Sequence, residues 1–247
     1  MNQREMTVQG MVLRSAPQGD YDRRLVLLTK EKGKITVFAR GARKSSNALA
    51  GKTNPFSFGN FLIGSGSSAY YLKQAEIINY FMEMGQDYER NCYGCYFLEF
   101  ADYYSREDTE GLQMLKLLYQ SLRALLKDSI PNRLVQNIFE LKAMVINGEY
   151  PEVFTCMSCQ RELSEGYFSV FRGGVYCPAC HKNIIDGMYI DGSLLYAMQY
   201  IITAKIEKLY TFVLKEDISK NFNRIMINYR RHYIDNEFKS LALLEEL

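Results

Sequence analysis

Residues 25–38 read LVLLTKEKGKITVF, two apolar runs on either side of a polar turn. The runs at 25–28 and 35–38 have the composition and length of β-strands. The turn is Glu31-Lys32-Gly33-Lys34, in which Gly33 can take the positive φ that a hairpin often needs. The stretch therefore predicts two strands of a hairpin.

Three further strand patterns surround this hairpin, at residues 11–13, 56–63 and 69–78. Five strands in about 80 residues match the size and strand count of an OB barrel, a class that commonly binds oligonucleotides. We therefore expect residues 1–80 to form an OB-fold nucleic-acid-binding domain.

Beyond residue 86 the apolar period changes from two to about three and a half, which predicts helices. Helix-start residues such as Asp87 and Pro131 support this change. The predicted helices lie at 87–104, 108–126, 131–146, 191–204 and 219–238. The fold class is thus α+β and multidomain, with an N-terminal OB-fold β-barrel followed by an α-helical domain at 81–247.

Residues 151–185, here called the cysteine module, carry four cysteines and little helical period, so we expect a module inserted in the helical domain. Its two C-x-x-C pairs are separated by seventeen residues, a spacing typical of four-cysteine zinc sites. Four thiolates close the coordination shell, so the ion would stabilise the fold and would not catalyse. The predicted ligands of this structural Zn2+ are Cys156, Cys159, Cys177 and Cys180.

Other interpretations of the cysteines stay open. His181 could replace one thiolate, and Cys177-Pro-Ala-Cys180-His181 also matches a haem-attachment pattern, although haem would leave the first pair without a role. The second pair also resembles a redox dithiol, but no strand-helix-strand pattern surrounds it. A third pair, Cys92 and Cys95, lies in a predicted helix, where buried free cysteines pack as small hydrophobes.

The charge is distributed unevenly along the chain. The net charge of the 247 residues is +2, from 30 Lys and Arg against 28 Asp and Glu. Residues 1–80 hold 12 of the basic and 5 of the acidic residues, or +7, which leaves 18 against 23, or −5, for residues 81–247. The basic part is therefore the expected binder of a polyanion.

A cluster of cations straddles the predicted hairpin and the loop after it, with one acidic residue in the same fifteen positions. Such a run is often only a solvated face, but on an OB barrel it favours contacts with phosphates. Aromatic residues of the same strands, Phe38 and Tyr71 among them, could stack on bases where they face outward, and the others would fill the barrel. The candidate nucleic-acid-binding residues are Lys34, Arg40, Arg43, Lys44, Arg14, Arg23 and Lys52, and Arg24 could widen the patch.

Common signatures of catalysis are missing from the sequence. There is no G-x-x-x-x-G-K-[ST], G-x-S-x-G or H-E-x-x-H, and the two histidines, His181 and His232, have no evident nucleophile beside them. We therefore expect a protein that is not an enzyme. No signal segment opens the sequence, and no apolar run approaches the roughly 18 residues of a membrane span, which favours a cytoplasmic protein.

Several of these motifs together resemble the RecO family of bacterial recombination mediators. Residues 33–44, GKITVFARGARK, followed by Asn54-Pro55-Phe56, are similar to the family's G-K, A-R-G-A-R-R/K and P-F motifs at closely similar spacing. Phe171-Arg-Gly173-Gly174 before Cys177 resembles its zinc module. Gln18 and Gln160 depart from its pattern, where tyrosine and glycine are frequent.

The resemblance implies an OB fold on a helical domain with a zinc insertion. It implies binding of single- and double-stranded DNA without base specificity, annealing of complementary strands, and a role in DNA repair and recombination after DNA damage. It assigns phosphate contacts to Lys34, Arg40, Arg43 and Lys44.

The resemblance also implies partners: RecR, the acidic C-terminal tail of single-strand-binding protein, and a functional link to RecA, whose loading onto coated DNA such proteins assist. It would place the protein in the cytoplasm, at the nucleoid when bound to DNA. Cations beside a helical groove would suit the acidic tail, and the helix around residues 220–231 is a candidate. The alternative functions are an OB-fold protein-interaction adaptor with a structural zinc, and a zinc redox protein.

Overall fold

The computed structural model describes residues 5–66 and 69–245. They form two compact units, which we call the barrel unit, up to Leu122 and again from Phe238, and the helical unit, Arg123–Glu237. The predicted division into domains at residue 80 stays a prediction. No helix within the described ranges is long and apolar enough to cross a bilayer.

The barrel unit is built on five strands that close in the order β1-β2-β3-β5-β4. Neighbouring strands are antiparallel except for β3 and β5, which run parallel, and β1 pairs with β4 to close the barrel. This OB-like barrel confirms the predicted fold class. The strands are β1 (Glu5–Gln18), β2 (Asp22–Thr29), β3 (Gly33–Ala39), β4 (Phe58–Ser65) and β5 (Tyr70–Asn79).

The predicted hairpin is formed by β2 and β3, with Thr29 opposite Gly33. Gly33 has φ +63°, as expected, but a second constraint also requires glycine. A Cβ there would lie 2.2 Å from the backbone oxygen of Arg106, so no other residue allows this close approach. The hairpin turn therefore packs closely against the backbone at Arg106, in the segment that follows the first helix.

The interior of the barrel follows from strand alternation, since Leu25, Leu27, Ile35 and Val37 are buried on its inner face. The β3–β4 loop (residues 40–57) adds Ala42 and Leu49 to the same core. This loop, which carries most of the predicted cations, is consequently attached to the barrel by apolar burial at two points.

Six helices are described in the rest of the chain: α1 (Tyr88–Tyr104), α2 (Leu112–Leu125), α3 (Asn132–Ile146), α4 (Gly192–Thr203), α5 (Glu216–Tyr233) and α6 (Lys239–Glu245). Asp87 caps α1 as predicted, since its side chain accepts from the backbone N–H of Arg90 at 3.0 Å. The last predicted helix, 219–238, instead ends at Tyr233, because Ile234 takes an extended conformation.

The helical unit packs α5 and α4 against α3. Two charged side chains of α3 are buried in this packing and both have partners. Glu140 accepts from Arg230 of α5 at 2.7 Å, and the Lys142 ammonium donates to the backbone oxygens of Ile201, Ile202 and Ala204 at the end of α4. Burial lowers the pKa of Lys142.

Candidate nucleic-acid interface and metal centre

The cysteine module contains two strands, β6 at Gly166–Ser169 and β7 at Gly174–Tyr176. A third strand just after the module, β8 at Met188–Ile190, completes a sheet of order β7-β6-β8. The hairpin of β6 and β7 lies between the two C-x-x-C pairs in sequence and brings them together. The Sγ atoms of Cys156, Cys159, Cys177 and Cys180 all lie within 4.8 Å of one another. The predicted cluster is therefore present.

The spacing of the sulfurs suits a tetrahedral ion. A zinc–sulfur bond of about 2.3 Å in a tetrahedron separates neighbouring sulfurs by about 3.8 Å, and the Sγ atoms of Cys159 and Cys177 are 3.8 Å apart. His181 is not part of the group: its Nδ1 lies 2.7 Å from the Pro178 oxygen, and its ring stacks on Tyr167 at 3.9 Å. The residues present therefore fit an all-sulfur site.

The pKa values of the clustered thiols also favour a bound cation. Burial raises the pKa of the Cys156 thiol, but hydrogen bonds from backbone amides, that of Cys177 at 3.3 Å among them, outweigh burial and hold this pKa at about 6. Hydrogen bonds to the sulfurs of Cys177 and Cys159 raise the pKa of Cys180 to about 12. Thiols this close resist ionising together, and a divalent cation that binds thiolates removes that obstacle.

The third pair, Cys92 and Cys95, lies on α1 among core residues of the barrel unit. Cys92 is buried, and burial raises the pKa of Cys95. Both are free thiols outside the four-cysteine group. Their position is that of packing residues.

Three of the predicted DNA-binding cations are exposed at the start of the β3–β4 loop. The Arg40 guanidinium lies over the Tyr71 ring at 4.9 Å, and the Lys44 ammonium lies over the Tyr21 ring at 4.4 Å. Arg43 donates to the backbone oxygens of Gly19 and Asp20, both at 3.0 Å. Because aromatic rings and backbone oxygens do not cancel charge as a carboxylate would, the three cations are available to an anion.

Two further predicted cations share one carboxylate. Arg14 of β1 donates to Asp102 of α1, and the Lys34 ammonium lies 3.1 Å from the same carboxylate. Lys34 also donates to the backbone oxygen of Asp102 at 2.6 Å. In this arrangement Asp102 neutralises part of the positive charge that the sequence analysis predicts to bind DNA.

The remaining two predicted cations hold the β3–β4 loop to the barrel. Arg23 donates to the Asn54 side chain at 2.6 Å and also reaches Thr53, and the Lys52 ammonium donates to the backbone oxygen of Ala75 at 2.9 Å. Both are partly buried. Both side chains bind the protein's own backbone and side chains, and these contacts hold the loop in place.

Sequence reasoning missed one cation of this surface. Lys73 of β5 is exposed and lines a cleft of about 360 Å³ together with Arg40, Lys52 and Tyr71. Arg24, which the sequence only suggests, is exposed and directly opposite Phe38 in the β2–β3 pairing. Lys73 follows the apolar Leu72 in β5, and strand alternation turns the residue after a buried one outward. The β4–β5 register shifts between these positions, so alternation in the sequence alone did not show which side chains of β5 face outward.

The aromatic residues divide between the two faces of the barrel. Phe61 fills the core, and Phe56 is buried in the loop. Phe38 and Tyr71 lie on adjacent strands of the outer face, partly buried, with ring centroids 6.1 Å apart. With Arg24 and Arg40 beside them, these two rings form a cationic aromatic surface of the kind that binds unpaired bases.

Comparisons with known proteins agree with these features. The family model described as Recombination protein O N terminal matches residues 1–81, and the model described as Recombination protein O C terminal matches residues 85–242. DNA repair protein RecO of Bacillus pumilus is 33% identical over 239 residues, 97% of this chain and 93% of that protein. DNA repair protein RecO of Alkaliphilus metalliredigens is 29% identical over 243 residues, 97% and 98% of the two chains.

Proposed function

The chain belongs to the RecO family of DNA repair proteins, and on that premise we propose that it is a non-enzymatic recombination mediator. It binds single- and double-stranded DNA without base specificity and anneals complementary strands. The observation that carries this proposal is the exposed group of Arg40, Arg43 and Lys44, in which Arg40 lies over the Tyr71 ring that neighbours Phe38.

The cations supply affinity by neutralising phosphates and releasing counterions, which depends on salt and little on sequence. Arg40 and Lys44 are each held over an aromatic ring, so less side-chain freedom is lost when they bind. Annealing follows from the same charge, because two strands that are each partly neutralised repel one another less. Outward aromatic rings add contacts that only unpaired bases can make.

The cysteine module holds a structural Zn2+ through its four sulfurs. The ion, when bound, supplies cross-linking of the two C-x-x-C pairs, and the closed set of four ligands leaves no place for a substrate. The protein acts with RecR and with the acidic tail of single-strand-binding protein, and it assists RecA loading. Support for these partners is the family membership.

The test is fluorescence-detected binding and annealing of complementary strands over a salt series. The triple variant Arg40→Ala/Arg43→Ala/Lys44→Ala removes the exposed group, and Lys205→Ala/Lys208→Ala/Lys215→Ala removes the same charge from exposed positions of the helical unit. We expect the first variant to lose affinity and about two units of the salt slope on single strands, at about 0.7 per phosphate contact. The second variant should retain both.

Two results would contradict the proposed function. A folded wild type that neither binds nor anneals DNA at low salt would remove the barrel as a DNA module and favour a protein-interaction adaptor. An equal loss in both triple variants would show that total charge matters and this surface does not.

A further inference from the structure

On the barrel unit, the β3–β4 loop and β5 enclose a cleft that contains Lys73, here called the β5 cleft. We propose that this cleft binds a nucleotide that carries a terminal phosphate monoester, either free or at the end of a strand. The inference rests on the proposed function in one respect, that nucleic acid is the class of ligand, and its test separates the two.

The β5 cleft has two walls and an apolar floor. One wall comes from loop residues 47–52 and the other from strand residues 71–75. Leu49, Leu72 and Ala75 lie between the walls and are almost fully buried, because their side chains belong to the barrel core. The volume of about 360 Å³ is near the lower end of the range for binding pockets, roughly 300–1,000 Å³. The cleft therefore admits a small ligand such as one nucleotide.

A β-bulge in β5 turns two consecutive polar residues toward this cleft. In the β4–β5 pairing, Leu62 lies opposite Gln74 and Ile63 lies opposite Leu72. Lys73 lies between these pairs as the extra residue of the bulge. Regular alternation would expose only one of Lys73 and Gln74, yet both are exposed and both line the cleft. Bulges often re-aim side chains beside functional sites, and this one adds an ammonium group to the lining.

The charges of the lining select an anion. Arg40, Lys52 and Lys73 line the cleft, and among the described residues no acidic side chain does so. The Arg40 guanidinium lies over the Tyr71 ring, which leaves its charge in place. The Lys52 ammonium uses one of its three hydrogen bonds on the backbone oxygen of Ala75.

The number of these cations favours a monoester over a diester. A cleft lined by charges of one sign concentrates the potential inside it. A terminal phosphate carries a charge of about −2 at neutral pH, whereas a phosphodiester within a strand carries about −1. Three cations around one small cleft therefore stabilise the end of a strand more than its interior.

Hydrogen bonds hold the loop wall of the cleft in place. Lys52 joins the loop to β5 through its bond of 2.9 Å to the Ala75 oxygen. The Asn47 side chain donates to the Arg40 oxygen at 3.2 Å and accepts from the Leu49 N–H at 2.8 Å. Less free energy is lost in ordering a lining that is already fixed, so the wall is prepared for a ligand.

A nucleotide fits the other groups of the lining better than an acidic peptide. The Tyr71 ring is partly buried at the cleft and offers an aromatic surface to a base. The exposed Gln74 amide can both donate and accept, as the edge of a base requires. The phosphate thus lies among the cations and the base lies at Tyr71. An acidic peptide is the alternative outcome of the test.

The experiment measures fluorescence anisotropy of short labelled thymidylate strands at low salt. A tetramer with a terminal phosphate at its 5′ or 3′ end, labelled at the other end, is compared with an unphosphorylated hexamer. The two strands carry about the same total charge, because the monoester contributes about −2. Thymidine monophosphate and a peptide of five aspartates serve as competitors at constant ionic strength.

The variants change the charge inside or outside the cleft. Lys73→Ala removes the cation of the bulge, and Ala48→Glu places a carboxylate on the opposite wall. The matched controls, Lys30→Ala and Ser46→Glu, make the same changes of charge at positions outside the lining. Each substituted side chain is exposed, so we expect all the variants to fold, and circular dichroism checks this.

We expect the wild type to bind a phosphorylated tetramer about tenfold more tightly than the hexamer, because charge-assisted hydrogen bonds to the monoester add to the affinity. Both cleft variants should reduce this preference below about twofold, and both controls should retain it. Displacement of the tetramer by thymidine monophosphate would support the proposal with the free nucleotide as a ligand. Without such displacement, the preference would support it with the strand end as the ligand.

Three results would overturn the proposal. Equal binding of the two charge-matched strands would make the cleft part of a general surface for diesters. A phosphate preference that persists in both cleft variants would place the site elsewhere. Displacement by the aspartate peptide as effective as that by thymidine monophosphate would make the cleft a peptide site.

The same measurements separate this proposal from the proposed function. A wild type that anneals strands but shows no phosphate preference refutes the monoester site alone. A wild type that prefers the phosphorylated tetramer but anneals no strands refutes the annealing function alone.

Discussion

Replacing Asp102 by asparagine tests whether Arg14 and Lys34 can contact DNA. The Asp102 carboxylate holds both cations, and its side chain is only 16% exposed. Asparagine keeps the shape and the backbone oxygen to which Lys34 donates, but it removes the negative charge. The variant therefore removes the negative charge that pairs with Arg14 and Lys34, with little change in structure.

The magnitude follows from counterion release. Two additional phosphate contacts raise the salt slope on single-stranded DNA by about 1.4, at about 0.7 per contact. Between 1 M and 0.1 M salt this slope corresponds to a gain in affinity of roughly 25-fold at the lower concentration. Since the Arg14 side chain is 60% exposed, loss of its ion pair costs about 1 kcal/mol or less, and we expect the free energy of unfolding to fall by about 1–2 kcal/mol in total.

The assay is binding of a labelled single strand at several salt concentrations, with urea unfolding as a separate readout. Asp235→Asn, at an exposed position of the helical unit, changes the net charge equally and serves as the control. A salt slope equal to that of the control would refute the reasoning, because Arg14 and Lys34 would then have no role in DNA binding. Weaker binding by Asp102→Asn would mean that the carboxylate orients these cations for their ligand.

The remaining predictions concern stacking, stability and the metal. Phe38→Ala should weaken single-strand binding by about 1–3 kcal/mol, in fluorescence titrations, and duplex binding much less, because only unpaired bases can stack. Gly33→Ala should lower the free energy of unfolding in urea by more than about 2 kcal/mol, since it adds a clash with the Arg106 oxygen to an unfavourable φ. Glu140→Gln should cost about 3–5 kcal/mol in the same assay, because it removes the negative charge of a buried ion pair with Arg230. Cys156→Ser should lose bound zinc, as measured by metal analysis, with earlier unfolding of the helical unit.

Three of these predictions have a matched control in the chain. Gly19→Ala has a similar φ but open space around its Cβ position, and Glu216→Gln breaks an exposed ion pair with Lys220. Both should cost about 1 kcal/mol or less, and equal costs in the test and control variants would contradict the structural reasons given. Cys95→Ser should keep the metal. A Phe38→Ala variant that binds single strands normally would exclude that ring from the interface.

Local patterns in the sequence were enough for the fold class and for the cysteine cluster. Strand alternation and the turn at Gly33 predicted the β2–β3 hairpin, and the change of period at residue 86 predicted the helices. Two C-x-x-C pairs predicted a four-sulfur group because each short spacing fixes two ligands locally. The exception was the last predicted helix, which ends at Tyr233 because the chain is extended at Ile234.

The sequence could not divide the predicted cations into exposed and engaged ones. Arg40, Arg43 and Lys44 are exposed, whereas Arg14 and Lys34 share Asp102, which lies 88 and 68 positions away from them in the chain, respectively. The inward or outward direction of Phe61 and Phe38 similarly depended on strand register, which alternation alone leaves undetermined.

The sequence by itself determined which elements form, because period, turn residues and ligand spacing are properties of neighbouring residues. Tertiary structure alone decided how charges are paired and which surfaces stay open: Glu140 with Arg230, Asp102 with Arg14 and Lys34, and a groove lined by Phe171 and Met188. The physical reason is that an ion pair or a groove depends on distances between residues far apart in the chain, and those distances exist only once the core has packed.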